Sequence, residues 1–177
     1  LEHISGKEKI IASKEALELI AASAEGSFRD AESLLDELIS FGDKNIALED
    51  VERLIGKVGF DKLSDFAGIL LAGQTGKALE LLSAIEDGGY NLAQFTKDLI
   101  GYIRRVAVIK FNPNMKQLFE KELMAEHLKK ISDHSRLFSD NHLKLLKNLI
   151  TAYSQMRYSQ FPIIPLEVAI IESLGKE

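Results

Sequence analysis

The 177-residue sequence contains no cysteine. That absence excludes disulfides, thiolate nucleophiles and thiolate metal sites, and it fits a reducing, cytoplasmic setting. No apolar run approaches the roughly 18 residues needed to span a bilayer, and no signal peptide is visible, so no membrane association is expected. Proline is scarce, with three in the chain. Sustained period-2 alternation is missing too, which removes the usual evidence for strands. Cationic excess is also lacking. A net charge of -5 argues against a protein that grips nucleic acid with its whole surface. The first residue is Leu1 and the last three are Gly175, Lys176 and Glu177, which reads as a piece of a longer protein.

What is present is globular composition, 46% hydrophobic and 28% charged, arranged as helical stripes separated by turn signals. Leu1 to about Glu8 reads as the tail of a helix. Ser13 caps a second, with Leu17, Ile20, Ala21 and Ala24 on one face. Gly26-Ser27 starts a third through Ala31, Leu34, Leu35 and Leu38. A short helix follows, with Val51, Leu54 and Ile55 inward and Gly56 at its end. The next ones run through Leu63, Phe66, Ala67, Leu70 and Leu71, then from Thr75 as cap through Ala78, Leu79, Leu82 and Ile85. Asn91 caps a long helix through Phe95, Leu99, Tyr102, Ile103 and Val106. A helix is expected near Lys116 to Ile131. Ser139 caps another through Leu143, Leu146, Ile150, Tyr153 and Met156. Pro165 fits the first turn of the last helix, in which Val168, Ala169 and Ile171 are expected to be buried. The expected fold class is all-α, roughly nine helices with short connections. Gly42, Asp43, Lys44 and Asn45 cluster in the weakest stretch, Phe41 to Ala47, and the domain border is placed there. No repeat of fixed period is found.

Chemistry is thinly signalled. His127, His134 and His142 lie near Glu126, Asp133 and Asp140, but without the HExxH spacing that puts two imidazoles on one helix face. They read as solvated loop and surface histidines. No GxSxG signature surrounds a serine, and Ser23, Ser33 and Ser40 read as helix-surface residues. Ala72-Gly73-Gln74-Thr75-Gly76-Lys77-Ala78 resembles a phosphate loop superficially. It lacks the first glycine, the Ser/Thr after lysine and a preceding strand, so it reads as a helix-helix turn. Arg104-Arg105, Lys129-Lys130, Lys144 and Lys147 lack interleaved aromatics and read as solvated surface, with a phosphate-backbone contact as the alternative.

Arg29 is the exception. Ser27 as N-cap and Asp30 three residues later form a capping-box pattern, which puts Arg29 in the first helical turn. A cation there opposes the helix dipole at a cost of about 0.3–1 kcal/mol unless something answers it. Glu25 or an acid on a neighbouring helix is one answer. An anion is the other, because unpaired N–H groups and an arginine together suit a phosphate.

The stretch Ala16-Leu17-Glu18-Leu19-Ile20-Ala21 through Glu25-Gly26-Ser27-Phe28-Arg29-Asp30-Ala31-Glu32-Ser33-Leu34-Leu35-Asp36 closely resembles the lid of the gamma/tau clamp-loader ATPases of bacterial DNA polymerase III. Fragments at Leu48-Glu49-Asp50-Val51, Leu54-Ile55-Gly56, Arg105-Val106-Ala107-Val108 and Leu166-Glu167-Val168-Ala169-Ile170-Ile171 extend the resemblance along the chain. It departs at Glu37, where the family usually has Gln, and at Ala47, where a Ser or Thr cap is usual. The resemblance implies that Arg29 is the sensor 2 arginine reaching ATP phosphates in the intact protein. It implies that residues 1–44 are the C-terminal part of an AAA+ lid, and 45–177 a helical-bundle collar domain. Collars hold the clamp-loader pentamer together, so the implied partners are other gamma/tau copies, delta and delta-prime. The sliding clamp and primer-template DNA would be met only through the whole complex. The implied fragment is no enzyme and binds no cofactor, since the Walker motifs that take ATP and Mg would lie before Leu1. Another AAA+ ATPase outside the polymerase, with the same layout, is the alternative. An unrelated helical enzyme with a polar pocket around His127, His134 and Tyr153 is the third reading. Collar packing would call on late apolar residues: Tyr153, Met156, Tyr158, Phe161, Ile163 and Ile164.

Overall fold

The structure is a computed structural model and describes residues 11–24, 27–40 and 45–175. The expected helix at Leu1 to Glu8, and the breaks at Gly26 and at Gly42-Asp43, lie outside the described residues. Among those described, ten α-helices account for most of the chain, as the recurring stripes require. The elements are β1 (Ile11–Ala12), α1 (Lys14–Ser23), α2 (Phe28–Ser40), β2 (Asn45–Ile46), α3 (Leu48–Ile55), α4 (Phe60–Leu71) and α5 (Thr75–Asp87). They continue with α6 (Leu92–Phe111), a 3-10 turn (Pro113–Met115), α7 (Lys116–Phe119), α8 (Ala125–Ser135), α9 (Asn141–Met156) and α10 (Ile163–Leu174). The chain divides into two compact units, 1–57 and 58–177.

In the first unit, β1 and β2 pair in parallel, Ile11 opposite Asn45 and Ala12 opposite Ile46. This ladder was not expected, since two residues are too few to show a period. Helices α1, α2 and α3 close over Ala16, Ile20, Ala31, Leu35, Leu38, Ile46 and Val51. Ser13 caps α1 by accepting from the Ala16 N–H (3.1 Å). At α3, Ala47 has no side-chain acceptor, and only half a capping box forms: the Ala47 N–H donates to Asp50 Oδ2 (3.0 Å). Gly56 ends α3 at φ 69°, a left-handed position that suits glycine. Helix α3 lies beyond the expected border at 44/45, yet buried Val51 packs it with the first unit.

In the second unit, α4, α5, α6, α8, α9 and α10 enclose one core. The rings of Phe66 and Phe95 meet edge to face at 5.0 Å, and Leu70, Leu82, Leu99, Ile103, Leu145, Leu149 and Ile170 are fully buried around them. Asn91 caps α6 by accepting from the Gln94 N–H (3.0 Å). Four expectations need correction. Gln74, not Thr75, is the N-cap of α5, and the Thr75 hydroxyl instead donates to the Leu174 carbonyl (3.2 Å). Ser139 does not cap α9 with its side chain; its N–H donates to His142 Nδ1 (2.8 Å). The single helix expected from Lys116 to Ile131 is two, because the chain turns after Phe119 and restarts at Ala125. Phe119 and the α8 pair Leu128 and Ile131 are all buried, and the turn between them lets both segments reach the core, against local helix propensity.

The fourth correction concerns helical phase. On α9 the buried side chains are His142, Leu145, Leu149, Ala152 and Met156, whereas Leu143 and Ile150 are exposed. On α10 they are Leu166, Ala169 and Ile170, and Val168 and Ile171 face solvent. Both helices carry two apolar stripes, so the 3.6 period alone does not choose which one turns inward.

Candidate functional site

Helix α2 begins at Phe28, and the Ser27 hydroxyl accepts from the Asp30 N–H (3.3 Å), making the expected N-cap. The reciprocal half of the box is replaced, because the Ser27 N–H donates to the Ala24 carbonyl (2.8 Å). Arg29 is the second residue of α2 and exposed, and its guanidinium forms no ion pair among the described residues. Its carbonyl is engaged by the Ser33 hydroxyl (2.9 Å). Glu25, the acid weighed as its partner, lies outside the described residues. Arg29 thus stands beside a helix N-terminus as a free cation among the described residues, the arrangement that suits an anionic group.

The late apolar residues divide. Met156 is buried in the core, and Tyr153 and Ile163 are half-buried. Tyr158 is 90% exposed, Phe161 62% and Ile164 50%. The exposed set also includes Val168 and Ile171, which continue the Ile164 stripe at i+4 and i+7 along α10. Among the candidates named from sequence, only part is therefore available to a partner.

His127 and His134 are half-buried and His142 is buried, which corrects the expectation of solvated surface groups. His127 stacks on Phe60 with ring centroids 3.6 Å apart. His134 Nδ1 lies 2.8 Å from the Tyr102 hydroxyl. Burial pushes the His134 pKa below the ordinary histidine value; the charges of Asp133 and Asp65 oppose that shift, and Lys130 adds to it. Burial also raises the Tyr102 phenol far above its usual range, with Asp65 adding to the shift, so it stays neutral. His142 is buried and lowered by desolvation, against the backbone contacts of Leu71 and Ser139. Nothing in residue spacing signals the Tyr102–His134 pair, 32 residues apart. His134 meets Tyr102 and not Tyr153, and no group of three metal-ligating side chains occurs among the described residues. Lys130 bonds Asp61 Oδ1 (2.8 Å) and Ser64 Oγ (3.3 Å), which leaves it a structural role. The 72–78 stretch is the α4–α5 turn, with Gly73 at φ 68°, followed by the first turn of α5. No helix among the described residues is long and apolar enough to cross a membrane.

A helical unit with an exposed first-turn arginine is followed by a second helical unit with exposed apolar faces. Comparison with known proteins makes this specific. Residues 1–44 match the family described as DNA polymerase III clamp loader subunit, ATPase lid domain. Residues 46–175 match the family described as DNA polymerase III subunits gamma and tau domain III. The chain belongs to this DNA polymerase III gamma/tau clamp-loader family. It is 27% identical to the DNA polymerase III subunit tau of Bacillus subtilis over 97% of this chain and 30% of that protein. It is 30% identical to the gamma/tau subunit of Mycoplasma genitalium over 92% of this chain and 30% of that protein. Protein STICHEL-like 3 of Arabidopsis thaliana is 29% identical over 97% of this chain and 15% of its own length. The chain thus spans under a third of these relatives. Among solved structures, the Bacillus subtilis DNA clamp loader delta protein shares the fold, with a TM-score of 0.58 at 17% identity, over 98% of this chain and 54% of that one.

Proposed function

We propose that this chain supplies a clamp-loader subunit with part of its ATPase lid and with the collar that holds the subunits together for ATP-driven loading of the sliding clamp. Its partners are then further gamma/tau copies, delta and delta-prime, in the cytoplasm; clamp and primer-template DNA are met through the complex. The observation that carries the reading is the second apolar stripe on α10, Ile164, Val168 and Ile171, exposed opposite the stripe that fills the core. A helix apolar on both faces needs a second surface to cover it. The chain catalyses nothing alone in this reading: its sequence carries no complete phosphate-loop motif, and ATP and Mg belong to the intact protein. Arg29 is its one contribution to that site, reaching the nucleotide phosphates from the lid.

Light scattering on the chain over a range of concentrations, alone and with delta-prime, tests the collar. Self-association or a stable complex is expected, and a monomer that ignores delta-prime would reject it. The similarity of STICHEL-like 3 over nearly the whole chain favours one other reading, the same lid and helical domain in an AAA+ protein outside the polymerase. A Walker motif with a nearby cysteine cluster upstream would decide for the polymerase subunit.

A further inference from the structure

The collar reading leaves open which surfaces meet, and the second unit offers two of complementary character. The first is α10. Its outward stripe is apolar, and its charged residues are two glutamates, Glu167 and Glu172, with no cation in the helix. The second is the seam where α9 packs against α6. The C-terminal end of α6 sits at the start of α9, where the Phe111 and Phe138 rings meet edge to face at 6.2 Å and Phe138 lies 5.4 Å from His142. Apolar side chains remain uncovered there: Phe111, Leu143 and Ile150 are exposed, and Leu146 is half-buried.

The charge around this seam is positive. On α6, Lys97 and Arg104 repeat at seven-residue steps with Phe111, and Arg157, just past α9, stands seven residues after Ile150, so these cations share the stripes of the exposed apolar side chains; none of them forms an ion pair among the described residues. The acid on α6, Asp98, accepts from Gln94 Nε2 (2.9 Å). The seam and α10 are separate surfaces. Asn148 Nδ2 donates to Ser173 Oγ (3.0 Å), tying α10 to one flank of α9. Ile150, two residues on, projects to the opposite flank, since successive helical residues turn by roughly 100°.

We propose that α10 of one copy of this chain docks in the α6–α9 seam of the next. This rests on the collar reading and deepens it. The apolar stripe Ile164, Val168 and Ile171 covers the seam, and Glu167 and Glu172 face its arginines. Two different patches on one unit give a head-to-tail contact, the kind that closes into a ring when the rotation allows. A symmetric α10–α10 contact would instead bring the glutamates of both copies together.

Charge reversal in the 177-residue chain tests the pairing. One variant carries Glu167→Lys with Glu172→Lys, the other Arg104→Glu with Arg157→Glu. Light scattering reads association, and circular dichroism checks that both remain helical. Each variant alone is expected to self-associate roughly tenfold or more weakly than the wild type. An equimolar mixture is expected to regain association, because each helix then meets a seam of opposite charge. If the wild type associates but both variants match it, or the mixture does not recover, or only the α10 variant is impaired, the pairing is wrong while the collar stands. A wild-type chain that is monomeric at every concentration removes the pairing between copies, and one that also ignores delta-prime removes the collar reading with it.

Discussion

The hydroxyl of Tyr102 and the Nδ1 of His134 lie 2.8 Å apart, joining α6 to α8 inside the second unit. Tyr102 is 2% exposed, so its hydroxyl cannot readily exchange this partner for water. Tyr102→Phe deletes the hydroxyl, keeps the ring, and strands the imidazole nitrogen. The expected loss is about 1–3 kcal/mol of unfolding free energy. Urea denaturation measures it, and a midpoint equal to wild type would show that water replaces the phenol.

The same pair gives the stability a pH dependence. Folding lowers the pKa of both His134 and His142. The unfolded chain therefore takes up protons first as pH falls. Stability from these groups is whole above the unfolded histidine value of about 6.5 and declines as pH drops through the lower folded values. Between about pH 7 and 5 the urea midpoint should fall, and His134→Gln should flatten part of that fall. A slope unchanged by His134→Gln would assign the effect to other groups.

Gly68 makes the third prediction. A Cβ built on it would stand 3.0 Å from His134 Nε2 and 3.2 Å from Cε1. In a free helix, Gly→Ala gains up to about 1 kcal/mol. Here the ring is held by Tyr102 and cannot swing aside cheaply. Gly68→Ala is expected to destabilise by roughly 1–3 kcal/mol. In the His134→Ala background the same substitution should turn neutral or stabilising, which a double-mutant cycle reads directly.

Sequence reasoning reached the helical class because stripes such as Leu63, Phe66, Ala67, Leu70 and Leu71 are one-sided, and all five are buried. It read the Ser13, Ser27 and Asn91 caps for the same local reason: the capping side chain and the amide it accepts from lie three residues apart. It missed what depends on distant neighbours. The parallel pair of β1 and β2 joins residues 34 apart in sequence (Ile11 and Asn45). The phases of α9 and α10 were ambiguous because both helices are apolar on two sides. At Arg29 the position within the helix was legible, and the free state of its charge needed the structure.

Arg29→Ala should separate structure from function. The side chain is exposed and bears no ion pair among the described residues, at a helix end whose dipole disfavours a cation. The melting temperature of the chain should be unchanged or slightly raised. In the full-length protein, nucleotide-dependent clamp loading or ATP turnover should drop. Normal turnover would return Arg29 to the status of a surface residue.

The phase of α10 gives the sharpest contrast, because apolar residues two positions apart are assigned opposite roles. Leu166 is fully buried, while Val168 is 45% exposed two residues later. Leu166→Ala should cost about 2–5 kcal/mol, as large-to-small changes in a packed core do. Val168→Ala should stay within about 0.5 kcal/mol, the range for surface positions. Val168→Asp should likewise keep the melting temperature of the monomer, yet weaken association, since it puts a charge in the middle of the outward stripe. If Val168→Asp unfolds the chain instead, the outward stripe is part of the core, and α10 has no face to offer a neighbour.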